Sequence, residues 1–200
     1  MSEETITDRL QVCLERLKAG ESAAQVELWD LVNERLTVLS RKMKRRDFAP
    51  VDRWAQTEDI AQNARVRLMR ALQEAVPQTA REFYGLANLQ IRRELLDTIR
   101  QMRGRNHDRD APVSLLEGQD QGNDTFDSHD LLVWQEFHEA VQELPATERE
   151  AFELWWYQGL THDEISQVIG VDKSTVKRRC RAARSTLAKV LPQSGDGEAE

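Results

Sequence analysis

Two cysteines and five prolines are all that 200 residues contain of either type. A disulfide framework is excluded, since such scaffolds set many cysteines at short spacing. Cys13 and Cys180 instead fall on apolar helical stripes, where a cysteine acts as a small buried hydrophobe. With so few prolines and nine glycines, the chain has little punctuation and long helices are permitted. No segment keeps the period-two alternation of a strand. No apolar run approaches the ~20 residues of a membrane span, and the opening MSEETITDRL lacks the basic and apolar parts of a secretory leader. A cytoplasmic protein without membrane insertion is expected. Catalytic signatures are missing too. There is no glycine-rich phosphate loop, and His107, His129, His138 and His162 share no metal-ligand spacing with the cysteines. No catalytic residue, metal or cofactor is expected, and the chain reads as a non-enzyme.

What is present is charge, unevenly placed. The net charge of −7 argues against a nucleic-acid binder until it is mapped. Val171 to Lys189 holds seven Lys/Arg against one Asp, and Arg41 to Arg46 holds five basic residues and no acid. Asn106 to Asp130 holds seven acids against one Arg, and Gly195 to Glu200 adds three more acids. Because screening confines charge effects to about 10 Å at ordinary salt, local patches govern contacts. The acidity collects in linker-like and tail-like stretches, and the basic segments are left to bind.

Helical periodicity dominates. Ile6, Leu10, Cys13, Leu14 and Leu17 mark a first amphipathic helix ended by Gly20, and Leu28, Val32, Leu36, Leu39 and Met43 mark a second. Asp47 to Gln56 is loop-like. Thr57 then precedes a third helix with Ile60, Ala64, Leu68 and Leu72. Thr79 and Glu82 have capping-box spacing for a fourth, whose core face is Phe83, Ala87, Ile91, Leu95, Ile99 and Met102. From Gly104 to Ser128 the pattern breaks into Asp, Gly, Asn and Gln. Helices resume with Leu131, Trp134, Phe137, Val141 and Leu144. Thr147 and Glu150 offer a further capping box, for a helix carrying Phe152, Leu154 and Trp155. The expected fold is all-α, with two small helical domains. They span residues 5–105 and 129–191, joined by an acidic linker at 106–128 and followed by a disordered tail at 192–200.

The segment THDEISQVIGVDKSTVKRRCRAARSTL, Thr161 to Leu187, is the most telling. Thr161 and Glu164 have capping-box spacing, Gly170 suits a tight inter-helix turn, and Asp172 is placed to cap a second helix. Val176, Cys180, Ala183 and Leu187 then form one apolar stripe, which turns Lys173, Ser174, Lys177, Arg178, Arg181 and Arg184 to other faces. This is a helix-turn-helix with a basic second helix, the element that commonly enters the DNA major groove. Its first half, Lys173, Ser174, Thr175, Lys177 and Arg178, is placed for base edges; Arg181 and Arg184 are placed for the backbone.

The layout resembles the extracytoplasmic-function (ECF) sigma factors of bacterial RNA polymerase, from about Ile6 to Leu191. LPATEREAFELWWYQGL together with the helix-turn-helix is similar to the family's region that reads the promoter −35 element. EDIAQNARVRLMRAL is similar to the helix that family members dock on the polymerase clamp, and ANLQIRRELLDTIRQMRGR to the helix after the −10-reading loop. The resemblance implies core RNA polymerase and promoter DNA as partners, with an anti-sigma factor as a further candidate. It assigns Glu58, Asp59, Gln62 and Asn63 to the polymerase surface, with Asn63 standing where the family usually has an acid. It assigns Pro77, Gln78, Thr79 and Arg81 to the −10 pocket, with Arg92, Arg93, Arg100, Arg103 and Arg105 as its electropositive track. Phe83 reads as core; Tyr84 is open between core and base stacking. The alternatives are an autonomous helix-turn-helix regulator and a sigma-like protein-interaction module.

Overall fold

The computed structural model describes residues 5–45, 57–109 and 128–190, and their side chains except at 35–45, 57–61, 105–109 and 128–130. Among the described residues there are eight α-helices and no strand. In chain order they are α1 (Ile6–Lys18), α2 (Ser22–Arg45), α3 (Thr57–Glu74), α4 (Ala80–Arg109), α5 (Ser128–Glu143), α6 (Ala146–Trp156), α7 (His162–Ile169) and α8 (Lys173–Leu187). The loop expected at Asp47 to Gln56, most of the acidic linker (110–127) and the tail at 192–200 lie outside the described residues.

The apolar stripes find their places. Leu10, Cys13 and Leu14 of α1, Leu28, Leu31 and Val32 of α2, and Ala64, Leu68 and Leu72 of α3 are all buried. They pack with the α4 face Phe83, Ala87, Ile91, Leu95, Ile99 and Met102. On the other side, Leu131, Trp134, Phe137 and Val141 of α5 join Phe152 and Leu154 of α6 and the α8 stripe. Phe137 meets Phe152 edge-on, with centroids 6.3 Å apart. Helix α4 is the axle of the molecule: it touches α1 and α3 on one side and α5, α6 and α7 on the other. A helix surrounded in this way buries polar residues as well as apolar ones, here Asn88, Gln90, Arg92 and Glu94. Each such group must then find a partner inside the protein.

Three local expectations are corrected. Helix α4 does not stop near Gly104 but continues to Arg109. One exposed glycine costs a helix only about 1 kcal/mol, and Met102, Arg103 and Arg105 beside it are good helix formers. Thr147 and Glu150 do not cap α6. That helix starts at Ala146 behind Pro145 with no side-chain cap, and the Glu148 and Arg149 amides both bond the Pro145 carbonyl at 2.9 Å. Thr147 therefore sits inside the first turn, while Glu150 turns to Arg81. At α4, Thr79 does accept the Glu82 amide at 3.2 Å, but the Glu82 carboxylate takes the Gln78 amide rather than that of Thr79. A capping box not foreseen, Thr5 with Asp8, opens α1. Tyr84 is fully buried, its hydroxyl 3.1 Å from that of Thr7, so it belongs to the core.

Candidate nucleic-acid interface

The α7–α8 unit is built by local chemistry. Thr161 and Glu164 form a reciprocal capping box, the Thr161 amide donating to the Glu164 carboxylate at 2.7 Å. Helix α7 ends at Gly170 with φ of 69°, the left-handed region that a side chain would strain. The Ser166 hydroxyl donates to the Val171 carbonyl at 2.5 Å, tying the turn to α7. Asp172 then caps α8 by accepting the Thr175 amide at 2.9 Å. The Ser174 and Thr175 hydroxyls and that amide all donate to Asp172 and hold its carboxyl well below the usual carboxylate range. The Ser174 and Thr175 hydroxyls are thus engaged in capping.

Val176, Cys180, Ala183 and Leu187 are buried along one side of α8. Lys177, Arg178, Arg181 and Arg184 are exposed. Lys177, Arg178 and Arg181 have no ion-pair partner among the described residues. Lys173 is held by Asp163 at 2.7 Å in an exposed pair, which competition by a phosphate readily breaks. Arg184 lies 5.6 Å from the centroid of the Trp155 ring, a cation–π seat at the far end of the helix. Burial, then Lys177 and Lys173, push the half-buried His162 below its ordinary value, with Asp163 acting the other way. Cys180 is no nucleophile. Its thiol bonds toward the Ala151 carbonyl, and burial pushes it up to about 11.

The residues assigned to the −10 site are distributed differently. Pro77 is buried, whereas Gln78 and Thr79 are exposed at the start of α4. Lys18 donates to the Gln78 carbonyl at 2.6 Å, and Gln11 accepts the Ala80 amide at 3.0 Å, so α1 holds this loop in place. Arg93 is exposed, with no ion-pair partner among the described residues. Arg105 has its side chain outside the described set, and the other arginines of this group are occupied. Arg81 makes a two-pronged pair with Glu150 at 2.6 and 2.8 Å. Arg92, expected on an open track, is 7% exposed and bonded to Glu153. Arg100 lies 3.5 Å from Asp97 and 3.9 Å from Glu139. Arg103 donates to Gln135. Much of the correction has a simple cause: α5 and α6 lie across this side of α4 and present Glu139, Glu150 and Glu153 to it, while Asp97 of α4 and Gln135 of α5 take the rest.

Beneath that contact is a buried polar layer. Gln158 donates to the Asn88 side chain at 2.6 Å. His138 Nδ1 lies 2.8 Å from the Tyr157 hydroxyl. Burial, and then the positive charge of Arg92, push His138 down to about 3 and keep it neutral. Burial likewise drives the Tyr157 phenol upward. Burial holds the Glu153 carboxyl above its ordinary range, with Arg92 acting the other way.

Of the residues assigned to the polymerase surface, Gln62 and Asn63 are exposed on α3. Glu58 and Asp59 lie in its first turn, with side chains outside the described set. Among the described residues no helix is long and apolar enough to cross a membrane. Residues 7–193 match the family model described as ECF sigma factor. No curated protein matches the chain.

Proposed function

Because this chain belongs to the ECF sigma factor family, we propose that it binds core RNA polymerase in the cytoplasm and directs it to specific promoters. Residues 5–105 are the half that holds polymerase and the −10 element, 129–191 the half that reads the −35 element, and 106–128 the acidic connection between them. The observation that carries the proposal is the outward basic face of α8, where Lys177, Arg178 and Arg181 stand opposite a buried stripe. Arg178 is early enough on that helix to reach a base edge, and its planar fork suits guanine. Arg181 and Arg184 follow toward the flanking phosphates. Lys173 lends a phosphate contact once it leaves Asp163.

On the other half, Gln62 and Asn63, with Glu58 and Asp59, form the α3 face offered to polymerase. The loop Pro77–Thr79 with Arg81 and Arg93 lies where an unstacked base is to be held, next to a positive surface. An anti-sigma factor would compete for these same surfaces.

Purified core polymerase, this chain and a library of promoter fragments test the proposal. Stable sequence-specific complexes and initiation are expected only when core enzyme is present, since one small helix-turn-helix makes few phosphate contacts on its own. Arg178→Ala should cost about 1–3 kcal/mol on the preferred −35 sequence and relax discrimination at one position. Arg184→Ala should weaken all sequences alike and make the salt dependence shallower by about one unit of slope. Tight, specific binding by the chain alone at physiological salt would instead make it an autonomous regulator. Polymerase binding without any promoter preference would make it a sigma-like interaction module.

A further inference from the structure

We propose that one side of α1 is a splint for the loop that meets the −10 element, with Gln11 and Lys18 as positioning residues that set its base selectivity. This rests on the assignment of Pro77, Gln78 and Thr79 to the −10 site. Thr7, Gln11, Leu14 and Lys18 recur at spacings of four, three and four, and so share one side of α1. Leu14 is wholly buried. The other three bond in turn to successive points around the start of α4. The Thr7 and Tyr84 hydroxyls lie 3.1 Å apart in the core. Gln11 accepts the Ala80 amide at 3.0 Å, and Lys18 donates to the Gln78 carbonyl at 2.6 Å. The Gln11 side-chain nitrogen donates to Glu15 at 3.0 Å, which leaves its oxygen for Ala80.

Helix α4 does not need these bonds in order to start. Thr79 accepts the Glu82 amide at 3.2 Å, and the Glu82 carboxylate takes the Gln78 amide at 2.7 Å. What α1 adds is a hold on main-chain atoms to either side of Thr79. Both backbone groups of Gln78 are thereby engaged, one by Glu82 and one by Lys18. The exposed Gln78 side chain is held by a longer bond, 3.3 Å to the Val76 carbonyl, which a base edge can replace. A pocket rejects a wrong base only if its walls keep their places, since a loop that shifts can rebuild contacts around any base. Bonds from a second helix to the main chain supply that constraint, and they do so without touching the base.

The test uses the full chain on core RNA polymerase and fluorescein-labelled promoter fragments whose −10 bases are unpaired on one strand. Anisotropy reads affinity for the preferred sequence, for single-base −10 changes and for a changed −35 duplex. Gln11→Leu combined with Lys18→Met should shrink the preference for the best −10 base about fivefold, with the −35 preference within about twofold of the parent. Gln11→Glu keeps an acceptor for the Ala80 amide and Lys18→Arg a donor for the Gln78 carbonyl, so this conservative pair should stay within about twofold of the parent at both elements. Parent-like −10 selectivity in the first variant overturns the splint, and so does an equal loss of selectivity at −35. Uniform weakening on every −10 base with a shallower salt dependence also overturns it, by making Lys18 a phosphate contact. Circular dichroism checks folding; should the double variant be unfolded, Lys18→Met alone replaces it, with about a twofold shrinkage expected and none overturning the splint. A parent with no −10 preference on core enzyme discards the −10 assignment itself. Hydrogen exchange on the free chain then judges the splint by itself: an Ala80 amide that exchanges about tenfold faster in the double variant keeps it, and unchanged exchange overturns it.

Discussion

Arginine has opposite fates on α4 and α8. On α8, Arg178 and Arg181 face outward without an ion-pair partner among the described residues. On α4, Arg81 and Arg92 are held by acids of α6, and Arg100 lies between Asp97 of its own helix and Glu139 of α5. The intrinsic properties of the side chains are the same, so the difference lies in what each helix faces. Helix α8 packs by one stripe and leaves the rest of its circumference to solvent. Helix α4 has neighbours on several sides, and every charge on it must either escape or be matched. The lesson is that a basic helix is a binding surface only as far as the rest of the chain leaves it uncovered.

The largest predicted effect contrasts the same truncation at both places. Arg92→Ala strands Glu153 in a buried site and should cost about 3–5 kcal/mol of stability. Arg178→Ala removes an exposed side chain and should stay within about 0.5 kcal/mol. Urea unfolding at neutral pH measures both. Equal, small losses would break the contrast by showing that the Arg92–Glu153 contact is not held in the free chain.

Next in size is a pH effect confined to the α4 side. The folded state keeps His138 neutral down to about 3, whereas in the unfolded chain it takes up a proton near its ordinary 6.5. Below about pH 6.5 the unfolded chain thus binds more protons, and stability should fall by up to about 1.4 kcal/mol per pH unit. The raised Glu153 carboxyl acts in the opposite sense as its own proton goes on. Replacing His138 by Phe loses the bond to Tyr157 at every pH but also removes the histidine's slope. Between pH 6.5 and 5 the parent should lose about 1.6 kcal/mol more than the variant, read by denaturant unfolding at each pH. Parallel curves would mean that His138 is solvated.

The smallest effect sharpens the α8 side. Gly170 has a φ of +69° with open space around the position of a Cβ. Gly170→Ala should therefore cost only the left-handed strain, about 1–2 kcal/mol, without altering α8 itself. Thermal unfolding tests the cost. A loss far above that range would reveal crowding that the turn does not show.

These two helices also mark how far the sequence could be read. Everything about α8 was local: Asp172 caps from one residue away, Gly170 closes the turn, and the stripe at four, three and four spacing names the buried side. The stripe of α4 was equally plain, and Phe83 to Met102 fell where expected. What periodicity cannot supply is the neighbour across a helix, and the partners of Arg92 and Arg81 lie 61 and 69 positions away. One signal was available. Tyr84, Asn88, Arg92 and Leu96 recur every fourth residue beside the main stripe, a second buried face written partly in polar residues. Helix ends were the other weak point. Gly104 has breaker chemistry that its surroundings outweigh, and Thr147 with Glu150 has capping spacing that Pro145 pre-empts. Spacing records what a residue is able to do, and competition decides what it does.

The two thiols have a consequence of another kind. Cys13 lies wholly inside the α1–α2 contact and Cys180 almost wholly inside the α6–α8 contact; both are free, and burial raises both above their ordinary values. A thiol-reactive reagent can reach either one only while its own surroundings are apart. Each half of the molecule therefore carries a native stopwatch. Two labelling rates, resolved by mass spectrometry on the unmodified chain, would time the breathing of the two halves separately. A promoter fragment or polymerase that slows one clock and not the other would reveal which half it grips.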